Sequence, residues 1–159
     1  MIKTNVMRLL DQAGIPYKPI EYEVDENNLG GEHVAELIGM PPEQVFKTLV
    51  ARGEKKGYVV FCIPVNTELD LKKAAAVIGD KKLELLPVKE LLPATGYIRG
   101  GCSPIGMKKK FPAYMDETAI LFEEITVSAG VRGCQLCIPR EKLVEYIDAA
   151  LSAVTKEEE

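Results

Sequence analysis

Residues 44–65 read QVFKTLVARGEKKGYVVFCIPV. QVFKTLVAR and GYVVFCIPV are rich in β-branched and aromatic residues, and a short polar turn, GEKKG, lies between them. That pattern predicts two antiparallel strands joined as a hairpin. Val45, Leu49 and Ala51 share one side of the first strand, and Phe46 and Val50 share the other with Thr48. A strand apolar on both faces is buried on both. Lys47 interrupts it, and a lysine placed there must snorkel to an edge or point into a polar cavity. It is the first candidate functional residue.

Outward from the hairpin, the N-terminal stretch MIKTNVMRLLDQAG predicts an amphipathic helix from Thr4 to Gly14, with Val6, Leu9 and Leu10 inward. PYKPIEYEV reads as an extended edge segment. GGEHVAELIGM reads as a short helix presenting Val34, Leu37 and Ile38, closed by Gly39 and blocked by Pro41-Pro42. Downstream, Asp70 caps a helix that ends at Gly79, KLELLPV is strand-like, and a turn of helix follows near KELL. TGYIRGG, AILFEEITVS and GCQLCIP read as strands. A last helix starts at Pro139, with Leu143, Tyr146, Ile147, Ala150, Leu151 and Val154 at helical spacing. TKEEE reads as a frayed acidic tail over 155–159. Helices and hairpin-type strands alternate irregularly, without linker or repeat, which predicts one α+β domain over residues 1–159, built on a largely antiparallel sheet.

Apolar residues make up 47% of the 159-residue chain and charged residues 28%, ordinary for a globular protein. No apolar run approaches the roughly 18 residues that cross a bilayer. The N-terminus lacks the apolar core of a signal peptide, so no membrane and a cytoplasmic location are expected. The net charge of −4 is unevenly spread. Between Lys47 and Lys110 stand 13 basic against six acidic side chains, a net of +7, leaving −11 for the two ends. A basic middle in an acidic chain is compatible with a footprint for phosphates.

GGCSPIGMKKKFP (100–112) concentrates that charge. Gly100 and Gly101 let the backbone approach a ligand closely, and successive N–H groups in such a turn can receive an anion or a polarised carbonyl. Pro104 stiffens the loop, and Lys108, Lys109 and Lys110 follow it as phosphate-reaching side chains. Other chemistries lack parts. There is no Walker loop, G-x-G-x-x-G, H-E-x-x-H or G-x-S-x-G. Cys134 and Cys137 have C-x-x-C spacing, but no second such pair exists, His33 is the single histidine, and a strand sends the two thiols to opposite faces. No metal and no cofactor are expected. Cys102, in a loop near positive charge, has no evident base partner.

FKTLV (46–50), LDLKKAA (69–75), TGYIRGGCSPIGMKKK (95–110) and VSAGVRG (127–133), in this order and spacing, resemble the YbaK/EbsC family of Cys-tRNA(Pro) deacylases. These are free-standing relatives of the editing domain of bacterial prolyl-tRNA synthetases. The resemblance implies a curved, mostly antiparallel, partly barrel-like sheet flanked by helices. It implies hydrolysis in trans of tRNA(Pro) mischarged with cysteine, which a binding pocket distinguishes poorly from proline. The family's essential lysine falls on Lys47, its loop glycines on Gly100 and Gly101, its pocket tyrosine on Tyr22 and its pocket serine on Ser128, while the G-G-x-S-P motif adds Ser103 and Pro104. In the family the substrate's own thiol attacks its carbonyl, so no enzyme nucleophile is required. Lys72, Lys73, Lys81, Lys82 and Lys108–Lys110 are the implied contacts for acceptor-stem phosphates, and prolyl-tRNA synthetase is an implied partner.

The chain departs from the pattern at Cys102, where many relatives are aliphatic, at Ala129 and Val131, which replace a glycine and a lysine, and at Gly31, where relatives often carry an acid. Two alternatives stand beside this reading: a deacylase of Ala-tRNA(Pro) on the same fold, and a non-catalytic module that holds tRNA or the synthetase.

Overall fold

The hairpin forms as the sequence dictates. In the computed structural model, which describes residues 3–157, β2 (Phe46–Gly53) and β3 (Gly57–Pro64) pair antiparallel from Phe46↔Pro64 to Gly53↔Gly57. The Asp80 carboxylate accepts the backbone N–H groups of Lys55 and Lys56, each at 2.9 Å, and so fixes the turn. These bonds, Lys56's first, hold the Asp80 carboxyl below its ordinary range. β4 (Leu83–Leu85) joins β2 antiparallel. On the other side the sheet turns parallel: β5 (Ala113–Asp116) pairs with β3, and β8 (Ala149–Ser152) with β5, giving the order β4-β2-β3-β5-β8. A second, antiparallel sheet has the order β1-β7-β6, from Lys18–Glu21, Cys134–Pro139 and Glu124–Ser128. A bridge between Val45 and Thr126 links the two sheets, which makes the whole partly barrel-like.

The strand period of two sorts the core into two clusters. Phe46, Val50, Val60, Cys62 and Met115 face Ile125, Val127, Leu136 and Ile138 of the second sheet. α1 (Asn5–Ala13) closes this cluster with Val6, Met7 and Leu10; Thr4 caps it through its side chain, and Gly14 ends it in a left-handed conformation. On the opposite face, Ala51, Val59, Phe61 and Ile63 pack on Ala74, Ala75 and Ile78 of α3 (Leu71–Ile78), which Asp70 caps. Truncating a fully buried side chain such as Leu10 or Phe61 to alanine costs about 2–5 kcal/mol. Among the described residues, no helix is long and apolar enough to cross a membrane.

Six expectations need correction. TGYIRGG is not a strand: α4 (Val88–Thr95) runs longer than a single turn, Gly96 caps it at φ +87°, and Gly100 turns the chain again at φ +86°. The first half of AILFEEITVS lies in a 3₁₀ segment, Glu117–Leu121, and only Glu124–Ser128 is strand. The last helix, α5 (Arg140–Tyr146), stops early. Asp148 takes a left-handed φ of 54°, and the next four residues become the edge strand β8, so the helical spacing of Ala150, Leu151 and Val154 is coincidental. In α2 (Gly31–Ile38), Leu37 stays 44% exposed, and Ala35 is the buried residue beside Val34. The acidic end is tied down as far as Glu157. Thr155 bridges Leu69, Lys156 pairs with Glu68 at 2.9 Å, and Lys73 reaches Glu157; Glu158 and Glu159 lie outside the described residues.

Candidate active site

Lys47 leaves β2 at the end of the hairpin farthest from the turn and stands where two hollows meet. The larger, about 670 Å³, is open and polar, with Glu32, His33 and Glu36 of α2 in its wall. The smaller, about 380 Å³, runs along β2 between α2, the β4–α4 segment and the glycine loop. Its polar lining is Lys47, Thr48, Arg99, Cys102, Ser128 and Gln135, together with the backbone of Gly30, Gly31 and Gly100. No carboxylate or imidazole lines it among the described residues. The remaining wall is aliphatic or aromatic, including Leu29, Leu49, Val65 and Leu86.

The strand leaves Lys47 partly buried. Burial pushes its pKa below the usual lysine value, and Glu68 and Glu32 push it partway back. An ammonium at the edge of a low-dielectric cavity interacts strongly with any negative charge that develops inside.

The glycine loop is braced from behind. Gly101 donates its N–H to the Ile98 carbonyl at 3.0 Å, and a Cβ there would sit 3.2 Å from the Val131 carbonyl carbon. Gly101 is therefore a packing glycine whose donor is committed, and it does not line the cavity; Gly100 does. Arg132 donates from Nε to the Arg99 carbonyl at 2.8 Å, and the Tyr97 hydroxyl donates to the Ile105 carbonyl. The Tyr97 phenol is pushed up to about 12, chiefly by burial.

Of the other expected site residues, Ser128 lines the cavity, where its Oγ accepts the Gly130 N–H at 3.1 Å. Ser103 is fully buried and its Oγ accepts the Ile105 N–H, so it shapes the loop from outside the cavity. Pro104 lines a separate hollow with Lys109 and Lys110. Tyr22 is partly buried, is held through its N–H to Gly133, and does not line the cavity. Lys73 is engaged with the Thr155 carbonyl and Glu157, and Lys110 with Asp148. Lys81 and Lys82 sit by the hairpin turn, where the Lys82 carbonyl accepts the Glu54 N–H, six strand residues or about 20 Å from Lys47. Lys72 lies on the exposed side of α3. Lys108 and Lys109 flank α4.

Two departures from the family pattern acquire reasons. At Gly31, a Cβ would fall 2.5 Å from Val65 Cγ1, so only glycine fits beside that valine. Val131 is 44% exposed and turns its backbone, not its side chain, to Gly101.

Sequence reasoning missed Arg99, Arg132 and Gln135. Gln135 is 7% exposed and lines the cavity, and its Oε1 is buried without a hydrogen-bond partner. The signal was present, since a lone amide inside the apolar strand CQLCI is as conspicuous as Lys47 inside VFKTLVA. Cys102 also lines the cavity; burial pushes its thiol up to about 12.

A family described as the aminoacyl-tRNA editing domain matches residues 27–146. A protein of Enterococcus faecalis named as a candidate Cys-tRNA(Pro)/Cys-tRNA(Cys) deacylase, EbsC, is 48% identical over 98% of this chain and 95% of its own. A proline–tRNA ligase of Thermosipho africanus is 31% identical over 60% of this chain and 19% of its own. A solved structure titled as a candidate trans-editing enzyme for prolyl-tRNA synthetase superposes with a TM-score of 0.84 at 24% identity, covering 99% of this chain and 100% of its own, and speaks for the fold. The chain belongs to the aminoacyl-tRNA editing domain family.

Proposed function

We propose that this protein is a trans-editing deacylase that hydrolyses the aminoacyl ester of Cys-tRNA(Pro), with Cys-tRNA(Cys) as a second substrate by similarity to its 48% identical relative. One observation carries the reading: a partly buried lysine and a glycine backbone share a small cavity whose wall, among the described residues, holds no acid and no imidazole, and whose one thiol is held neutral by burial.

Such a cavity suits a substrate that brings its own nucleophile. The cysteine thiol attacks the ester carbonyl, a C–S bond forms, the C–O bond to the ribose breaks, and the thiol proton ends on the ribose oxygen. Water then opens the thiolactone to free cysteine. Lys47 stabilises the negative charge that builds on the carbonyl oxygen, and the Gly100 N–H donates to it. Prolyl-tRNA synthetase is the proposed source of the mischarged tRNA(Pro), and the reaction belongs to the compartment where tRNA is charged.

The test is hydrolysis of Cys-tRNA(Pro), Cys-tRNA(Cys) and Ala-tRNA(Pro) side by side, with wild type and Lys47→Ala. Loss of cysteine but not alanine is expected, with the variant slower by on the order of 100-fold. Preferential loss of alanine would replace the substrate and remove the thiol mechanism. Decay of all three at their spontaneous rates would defeat the enzymatic reading.

A further inference from the structure

α4 forms one lip of the cavity, and its residues change character in a fixed order around the helix. At about 100° per residue, Leu91 points into the cavity, Val88 lies on the lip, Leu92 follows 40° further round, and Lys89 stands beyond it. The contacts match this order: Leu91 and Val88 line the cavity, whereas Lys89 and Pro93 line a different hollow of about 320 Å³ with Tyr58, Lys109 and Phe111. Val88 is 61% and Leu92 50% exposed, and Leu85, which also lines the cavity, is 46% exposed. Apolar side chains this exposed at a cavity mouth mark a contact surface.

Charge decides what kind of contact. Beside the lip stand Arg99 in the cavity wall, Lys89 and Lys109 on the far flank with a Glu90 that Arg52 engages, and Lys108, whose stem packs over Gly96 at the end of α4. At the other mouth, the polar hollow presents Glu32 and Glu36, with Glu68 near enough to act on Lys47. A polyanion is repelled from the α2 side and attracted over α4.

We propose that Val88 and Leu92 are the seat of the terminal adenosine of the substrate RNA, and that the next phosphates run over α4 toward Lys89, Lys108 and Lys109. This rests on the deacylase reading. In any aminoacyl-tRNA the ester is carried on the ribose of that adenosine, so once the carbonyl lies by Lys47 the base must rest at the mouth. A flat base with an apolar face gains by covering half-exposed aliphatic side chains, and it does so without reading sequence. The lip thus supplies affinity for the RNA end, while the cavity alone reads the amino acid.

The experiment uses Leu92→Asp and Val88→Asp, with Leu92→Met as the conservative control. Binding of a short single-stranded RNA ending in cytidine-cytidine-adenosine is measured directly, and KM and kcat are measured on Cys-tRNA(Pro). The aspartates are expected to weaken the short RNA roughly tenfold and to raise KM by a similar factor with kcat within about twofold, while Leu92→Met binds like wild type. Unchanged RNA binding in both aspartate variants would overturn the lip, and so would a loss confined to kcat. A wild type that binds the RNA through the lip but leaves Cys-tRNA(Pro) intact would overturn the deacylase reading and support the lip.

Discussion

Arg132 Nε lies 2.8 Å from the Arg99 carbonyl oxygen, and this hydrogen bond ties the β6–β7 turn to the loop that carries Gly100. The guanidinium also packs on Gly100, where a Cβ would sit 3.3 Å from Nε. The brace is exposed, yet it fixes the backbone that the proposed chemistry uses. Arg132→Ala is expected to cost about 1 kcal/mol of stability and to lower kcat/KM roughly tenfold. Faster hydrogen exchange confined to the 99–101 amides would show that the loop, rather than the fold, has loosened. Full activity in this variant would mean that the loop holds itself.

Lys47 sets an alkaline limit. Burial disfavours its charged form, so the native protein releases this proton below 10.5, the usual lysine value, while the unfolded chain still holds it. Between the lowered value and 10.5 the unfolded state binds more protons, and stability rises with pH across that window. In the proposed mechanism activity moves the opposite way, because there the ammonium stabilises the oxyanion. After correction for spontaneous ester hydrolysis, kcat/KM is expected to fall with an apparent pKa below 10.5. A profile flat to pH 10.5 would remove Lys47's charge from the mechanism.

Cys102 lines the cavity but is held neutral. Burial pushes its pKa up to about 12, so the thiol is almost wholly protonated at pH 8. Treatment with iodoacetamide at pH 8, followed by removal of the reagent, is expected to leave Cys102 unmodified over times that consume a free thiol. Rapid alkylation, read by mass spectrometry, would return an enzyme nucleophile to consideration.

Gln135 carries a buried Oε1 without a partner, an arrangement that costs stability unless a ligand uses the amide. Gln135→Leu keeps the size and removes the orphan. It is expected to be neutral or to stabilise the fold by about 1 kcal/mol, while cutting kcat/KM at least tenfold. A stabilised variant with full activity would make the glutamine a packing residue only.

The parts legible in the sequence were those set by neighbours along the chain. Thr4, Asp70 and the capping glycines at 14, 39 and 79 mark helix ends through local hydrogen bonds and left-handed backbone, and the hairpin follows from a turn between two β-rich runs. Lys47 stood out because a charge in an apolar strand has to be explained. The C-terminal segment misled for the converse reason. Leu143 to Val154 keeps helical spacing, but β8 exists because β5 offers it an edge some 36 residues upstream, a pairing that no local pattern encodes.

The site divides the same way. The family and its candidate residues could be read from the chain alone, because motifs at fixed spacing survive without coordinates. Which of those residues share a cavity was set by the fold. It put Lys47, Gly100 and Ser128 around one space with Gln135 and Cys102, and it placed Ser103, Pro104 and Tyr22 outside that lining. It also committed the Gly101 N–H to Ile98 and set Glu32 and Glu36 in a neighbouring hollow that shares Lys47. The physical reason is that adjacency in a folded chain is fixed by strand register and packing over long sequence separations, whereas composition and spacing report only what each residue is able to do.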